Sequence, residues 1–481
     1  MINLNNKVMK PKALLAQLSM VIIIVGILLS NLSVKAQKRD HMKKKILFVV
    51  TSHNQKGNTG QETGFYLSEV AHPWDILVDA GYDIDFVSPK GGKAPIDGFD
   101  LNDPINKKFW ENGSYRHKIE NTLMPAEVST GNYIAIHYAG GHGAMWDFAD
   151  NSALSSIAAK IYESGGVVSA VCHGPAGLVN IKLSNGKYLV DGKKVNAFTN
   201  EEEIAVKLDQ VVPFLLESKL IERGAKFEKS ELWQSHVAVD QRLVTGQNPQ
   251  SAKAVGEAVA TQLKYQETVS VLTRYDVEKN NQQLFRNVLS NYVKYANVQK
   301  SNIMAEAYFE EENPTVLWTI ERWTSKTEFD KIGKGDEFKK LTLFAKKHLK
   351  QPAKKIYVKD LEPLSKEEWH RKANTNDRPI TIMLFVESKP GTENNFKEVY
   401  HAVMPQFRSE PGVINYQLSE FEDDSTKFVT YEKFRDENAF QYHLKFPPIL
   451  PVLEYLNTSI KKQPFQAGLH RLVAFPSQTK K

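Results

Sequence analysis

Cysteine occurs once in these 481 residues, at position 172. An internal disulfide is therefore excluded, and so is any zinc or iron–sulfur site built from several cysteines. No His, Cys and Asp spacing elsewhere is that of a zinc site, so no metal is expected. Gly140 and Gly141 lack the lysine and serine that would make them a phosphate-binding loop. A strong excess of one charge is also missing. The formal charge of +6 falls to +2 once residues 1–36, with four lysines and no acid, are set aside. Nucleic acid is accordingly not an expected partner. Long apolar runs are lacking too, since the densest, Met20–Leu29, is too short to span a bilayer comfortably. Lys7, Lys10 and Lys12 precede it, and Val34-Lys35-Ala36 supplies small residues for cleavage. Residues 1–36 thus read as a secretory signal peptide cut after Ala36, with an uncleaved anchor as the alternative. Export to the periplasm or the exterior is expected, with no membrane contact once the signal is removed.

What remains is ordinary globular protein: 41% hydrophobic and 25% charged residues over a length that suggests about three domains. The most informative stretch is Gly165–Leu178, GGVVSAVCHGPAGL. Val167–Val171 are small or β-branched and uncharged, as in a buried strand. Gly174 and Pro175 end it and open a helix through Leu178. A cysteine at such a corner lies beside the orphan N–H groups of a helix start, which favour negative charge. Its thiol pKa is expected below the free value of about 8.5. Cys172 is therefore a candidate nucleophile, and His173 a proton shuttle beside it. An inert buried cysteine is the plain alternative.

Around this corner the pattern alternates. Strands are expected at Ile46–Val50, Ile84–Val87, Tyr133–Tyr138 and Arg242–Gly246. Helices are expected at Gly64–Ala80, Leu154–Glu163 and from about Ser251 to Leu263. Alternation of this kind implies a flavodoxin-like parallel sheet with helices on both faces, spanning residues 44–264. Sites in such sheets form beyond the C-terminal strand ends, where both Cys172 and the Gly140-Gly141-His142-Gly143 loop fall. From residue 265 the style changes. Residues 265–358 and 380–476 each show a strand, an amphipathic helix, two strands and a helix, and they resemble one another. TVLWTIERWTSKTEF at 315–329 aligns with TKFVTYEKFRDENAF at 426–440 at a constant offset. Thr319 matches Thr430, Glu321 matches Glu432, Trp323 matches Phe434 and Phe329 matches Phe440. A duplicated ferredoxin-like α+β domain is expected, its copies joined by a charged linker at 359–379. The two copies are expected to bury each other's sheet faces, like a dimeric α+β barrel within one chain.

Five stretches in order carry a resemblance to the ThiJ/PfpI superfamily, whose fold is like that of class I glutamine amidotransferases. They are TGFYLSEVAHPWDIL at 63–77, YAGGHGAMWDF at 138–148, GGVVSAVCHGPAGL at 165–178, FTNEEE at 198–203 and LVTGQNPQSA at 243–252. The similarity is greatest to the glutathione-independent glyoxalases, some of which double as holding chaperones. The resemblance implies that Cys172 attacks an aldehyde, that His173 moves protons and that Glu203 orients His173. Spacing alone leaves Glu201, Glu202 and Glu203 open. It also implies that Glu69 hydrogen-bonds the nucleophile, although by itself Glu69 reads as a solvated face of its helix. Gly141 and His173 offer backbone N–H groups for an oxyanion hole, and His142 is expected at the mouth of the site.

Residues 380–476 resemble the antibiotic-biosynthesis monooxygenase domains, on SEPGVINYQL at 409–418 and DDSTKFVTYEKFRDENAFQYHL at 423–444. Such domains pair through their sheets, and some oxidise aromatic substrates without metal or flavin. His443 matches a histidine common there, whereas Ile332 holds that place in the first copy, which is expected to be degenerate. Asn415, Tyr431 and Glu432 are further candidates for lining a second site. A scaffold role for both copies is the favoured expectation.

The functional expectation is an exported cysteine enzyme acting on a small reactive carbonyl, methylglyoxal to lactate, without glutathione or any cofactor. A homodimer is allowed. Three other readings stand beside it: an amidase, peptidase or protein deglycase using the same cysteine, a stress chaperone indifferent to Cys172, and a cofactor-independent monooxygenase in the C-terminal half.

Overall fold

The computed structural model describes residues 44–462 and 465–475. The signal-peptide reading of residues 1–36 lies outside them. Among the described residues no helix is long and apolar enough to cross a membrane. The chain divides between Gln262 and Leu263 into two compact units.

The first unit is built on six strands: β1 (Lys45–Val49), β2 (Asp83–Val87), β3 (Tyr133–Tyr138), β4 (Val167–Val171), β5 (Val237–Asp240) and β6 (Leu243–Gly246). Their order across the sheet is β2-β1-β3-β4-β6-β5. All neighbours are parallel except β5, which returns antiparallel along β6. Every residue of β4 is buried, as strands covered on both faces must be. Helices Leu67–Asp79, Ser152–Glu163 and Ala252–Glu267 follow β1, β3 and β6. The order reverses between β1 and β3, so the crevice of the fold opens above the C-terminal ends of the central strands.

The helix expected from Gly64 begins only at Leu67. Phe65 and Tyr66 instead pair with Ile96 and Asp97 as a short parallel ladder. Gly64 permits this approach, because a Cβ there would meet the Pro95 carbonyl oxygen at 2.1 Å. The helix expected after Cys172 has the expected extent, Gly174–Leu178, but is a tighter 3-10 segment.

In the second unit each copy contributes four strands, one more than the sequence pattern shows. The first supplies β7 (Val269–Asp276), β8 (Asn302–Glu310), β9 (Val316–Trp323) and β10 (Lys354–Leu361). The second supplies β11 (Ile380–Glu387), β12 (Val413–Phe421), β13 (Lys427–Phe434) and β14 (Leu469–Ala474). They close one barrel in the order β7-β9-β8-β14-β11-β13-β12-β10. The copies join through the edge pairs β10–β12 and β8–β14. Closure leaves no open strand edge. The interior is shared: Trp318 and Ile320 of the first copy pack in one cluster with Met383, Val429 and Tyr431 of the second.

The stretch expected to be a linker is partly structural. Residues 359–361 belong to β10, and Lys366–Trp369 form a helical turn capped by Ser365. Trp369 is buried in the barrel cluster, with the Arg322 guanidinium 3.9 Å above its ring.

Candidate active site

Cys172 leaves β4 with φ of 60°, a left-handed conformation that costs a non-glycine residue about 1–3 kcal/mol. The surrounding hydrogen bonds hold it there: Cys172 N–H donates to the Gly246 carbonyl and Phe198 N–H to the Cys172 carbonyl, both at 2.9 Å. The strain aims Sγ back over the strand ends. Sγ lies 3.3 Å from His173 Nδ1, and His173 Nε2 lies 2.8 Å from Glu203 Oε2. The Gly141 backbone N–H favours the charged form of the sulfur.

Glu69 reaches the sulfur from the opposite side. It is fully buried on the helix that follows β1. Oε2 accepts the Gly140 N–H at 2.7 Å, while the buried Oε1 has no hydrogen-bond partner among the described residues. Only glycine fits at 140, where a Cβ would meet Glu69 Oε2 at 2.5 Å and His173 N at 2.7 Å. The reading of Glu69 as a solvated face residue is therefore excluded. Burial pushes its carboxyl up to about 8, against the opposing effects of Cys172 and the Gly140 N–H.

The thiol differs from expectation. Burial, then the Glu69 carboxylate beside it, push Cys172 up rather than down. The 3-10 turn at Gly174–Leu178 is too short to supply the helix-terminal field that would oppose them. Cys172 and Glu69 therefore titrate as a pair.

The acidic run resolves into three roles. Glu201 is exposed and paired with Lys229 at 2.7 Å. Glu202 is buried: its Oε2 accepts Thr199 N–H at 3.0 Å, while Oε1 accepts Trp233 N–H at 3.0 Å, Gln247 Nε2 at 3.1 Å and Asn248 Nδ2 at 2.8 Å. It fixes the loop and strand ends around the site. Glu203 alone faces the histidines, accepting from His173 and, through Oε1, from His142 Nε2 at 3.1 Å. Burial works to raise Glu203, but the His173 charge and the hydrogen bonds from both histidines outweigh it and hold it near 2. Burial and His173 push His142 down to about 4.

The sequence reading thus names Cys172, His173, Glu203, Glu69, Gly141 and His142, and the structure brings all six together. It passes over Phe198, whose ring centroid lies 4.4 Å from that of His173, and Trp233, 5.7 Å beyond Phe198. Trp233 is partly exposed with φ of 63°. Phe198 opens the FTNEEE stretch, but nothing in that spacing shows its ring meeting His173, and no local pattern marks Trp233. His137 is a core residue bonded to Ser169 and to the Glu69 carbonyl. His142, His173 and Glu203 place three ligand atoms within 4.8 Å of one another. Both histidine Nε2 atoms are already engaged with Glu203, so a cation there would have to replace those hydrogen bonds.

In the second unit His443 is buried with Nδ1 2.8 Å from Glu410 Oε1. Phe407, Tyr416 and Phe434 surround its ring. Of the three other candidates only Glu432 gathers there, accepting from Thr430 and from Tyr416, whose ring centroid lies 5.3 Å from that of His443. Tyr431, one residue away, faces the barrel interior and donates to Glu306 at 2.7 Å. Asn415 donates to the Glu368 carbonyl. Strand alternation separates what the sequence places side by side.

A parallel α/β sheet with cysteine, histidine and two glutamates over its strand ends defines a thiol-centred α/β protein. The chain belongs to the DJ-1/PfpI family, which matches residues 61–262. The antibiotic biosynthesis monooxygenase family matches residues 268–342 and 379–450. The glutathione-independent glyoxalase HSP31 of Saccharomyces cerevisiae is 33% identical over 44% of this chain and 93% of its own length. Glyoxalase 3 of Candida albicans is 31% identical over 45% of this chain and 96% of its own. The X-ray structure of Rapid Encystment Protein 24 KDa from Francisella tularensis is 42% identical, covering 46% of this chain and 99% of that one, with a TM-score of 0.45.

Proposed function

We propose that the N-terminal unit is an exported, cysteine-dependent enzyme that converts small 2-oxoaldehydes, methylglyoxal foremost, into 2-hydroxy acids without glutathione. One observation carries this reading: Cys172 Sγ lies 3.3 Å from His173 Nδ1, which Glu203 holds from its far side, with the buried Glu69 carboxyl acting on the same sulfur. The likeness to glutathione-independent glyoxalases supports the substrate class. Glu69, near 8, keeps its proton at neutral pH and so serves as a donor beside the sulfur instead of a second negative charge. The sulfur adds to the aldehyde carbon, His173 moves the proton under the hold of Glu203, and the resulting oxygen is met by backbone N–H groups. Oxidation of the aldehyde carbon is balanced by reduction of the neighbouring ketone, so no outside oxidant is needed. Water then releases the acid from the sulfur. The second unit serves as a scaffold, because His443 is enclosed by its own aromatic neighbours.

The test is lactate formation from methylglyoxal by the purified protein with glutathione omitted. Cys172→Ala should lower turnover by about 10³-fold or more. Lactate formation undiminished in that variant, or amide hydrolysis in its place, would overturn the reading. Export predicts a mature N-terminus at Gln37, which N-terminal sequencing of the secreted protein decides.

A further inference from the structure

Glu203 holds two histidines, and the reading above uses only one. His142 Nε2 and His173 Nε2 lie 3.1 and 2.8 Å from its two oxygens, and their ring centroids are 4.1 Å apart. An ionised carboxylate only accepts, so both Nε2 atoms carry the hydrogen and both lone pairs sit on Nδ1. The two rings then differ in what Nδ1 meets. His173 Nδ1 is engaged with Cys172 Sγ, and its side chain is 1% exposed. His142 Nδ1 has no hydrogen-bond partner among the described residues, and its side chain is 15% exposed. Glu69 is turned to the sulfur and to the Gly140 N–H. Of the groups around Cys172, His142 alone combines a fixed tautomer, a free lone pair and an open approach.

Resting on the 2-oxoaldehyde reading, we propose that His142 is a second catalytic histidine, the base that carries hydrogen from the substrate's aldehyde carbon to its ketone carbon. The chemistry needs such a group. Once sulfur has added, the former aldehyde carbon bears S, OH and H. His142 Nδ1 takes that H as a proton, the C–H pair becomes a carbon–carbon double bond, and the ketone π pair moves onto its oxygen. The hydroxyl proton on the first carbon passes to that neighbouring oxygen. The first carbon then reforms a carbonyl, and the double-bond pair takes the proton back from His142 at the second carbon. The first carbon is oxidised by two electrons and the second reduced by two. The product is a 2-hydroxy thioester on Cys172, which water cleaves. Glu203 faces the charge on whichever imidazole is protonated, so one carboxylate serves both halves of the cycle. His142 is unprotonated throughout the neutral range and passes the proton on without retaining it.

His142→Gln keeps an N–H donor toward Glu203 and removes the base. With methylglyoxal as probe, kcat should fall about 100-fold with KM little changed. The Cys172 adduct should build up on rapid quenching. Deuterium on the aldehyde carbon should give a primary isotope effect larger than in wild type. Iodoacetamide should still alkylate Cys172 at the wild-type rate, which a collapsed site would not allow. Turnover within about threefold of wild type would overturn the proposal. So would loss of alkylation together with turnover, which would make His142 a structural support for His173. A wild-type protein inert to methylglyoxal would overturn the 2-oxoaldehyde reading itself, and this inference with it.

Discussion

Glu69 is the residue whose chemistry and stability pull apart. Its carboxyl is raised from the ordinary 4.5 to about 8 in the folded protein. Between those values the folded state holds a proton that the unfolded chain has released, so stability falls as pH rises through that window. Each tenfold displacement of the equilibrium corresponds to about 1.4 kcal/mol. Glu69→Gln should therefore flatten the loss of stability between about pH 5 and 8, as urea unfolding at several pH values would show, while lowering turnover. A variant with the same pH dependence as wild type would mean that Glu69 is not the group responsible. The pairing with Cys172 has its own signature. Alkylation of Cys172 against pH should follow two ionisations in wild type and one in Glu69→Gln. Glu203 acts with the opposite sign: held near 2, it contributes stability that is present above about 4.5 and is lost as pH falls toward 2.

Among elements, the helix Asn200–Ala205 shows how little an acidic run says by itself. Thr199 caps it in a box with Glu202, a pattern that the spacing does carry. What spacing cannot carry is that Glu202 also ties down Trp233, Gln247 and Asn248 from distant segments. Glu202→Ala should cost about 3 kcal/mol or more, because it strips a buried set of donors of their common acceptor. Glu201→Ala, on an exposed ion pair, should stay within about 0.5 kcal/mol. Equal effects in thermal unfolding would contradict the assignment. The same contrast explains what was legible. Strands β3 and β4 fall where the apolar runs place them, and the Cys172 corner with its Gly140-Gly141 neighbour is visible in the sequence. The choice among three glutamates needs the fold family or the structure, since it depends on which side chain points at His173. The thiol's raised pKa was hidden for a related reason: it comes from burial and from Glu69, a residue far away in sequence.

At the scale of the molecule, repetition in the sequence reveals two copies but not how they close. Strand β10 reads as charged and half-buried, KKIYVKDL, because its partners are β7 of its own copy and β12 of the other. Nothing local announces such pairing. A fragment of residues 265–481 should be a soluble monomer. One ending at Lys372 keeps β8 and β10 with open edges and exposes the face of Trp318 and Ile320, so it should dimerise or aggregate. Light scattering decides between them, and a monomeric single-copy fragment would contradict the shared barrel. The central claim concerns the other unit, that Cys172 is the atom that attacks the carbonyl. Rapid-quench mass spectrometry of the full chain with methylglyoxal measures it directly. The account predicts an adduct on Cys172 that forms at least as fast as lactate appears. Lactate formed with Cys172 unmodified at every time point would contradict it.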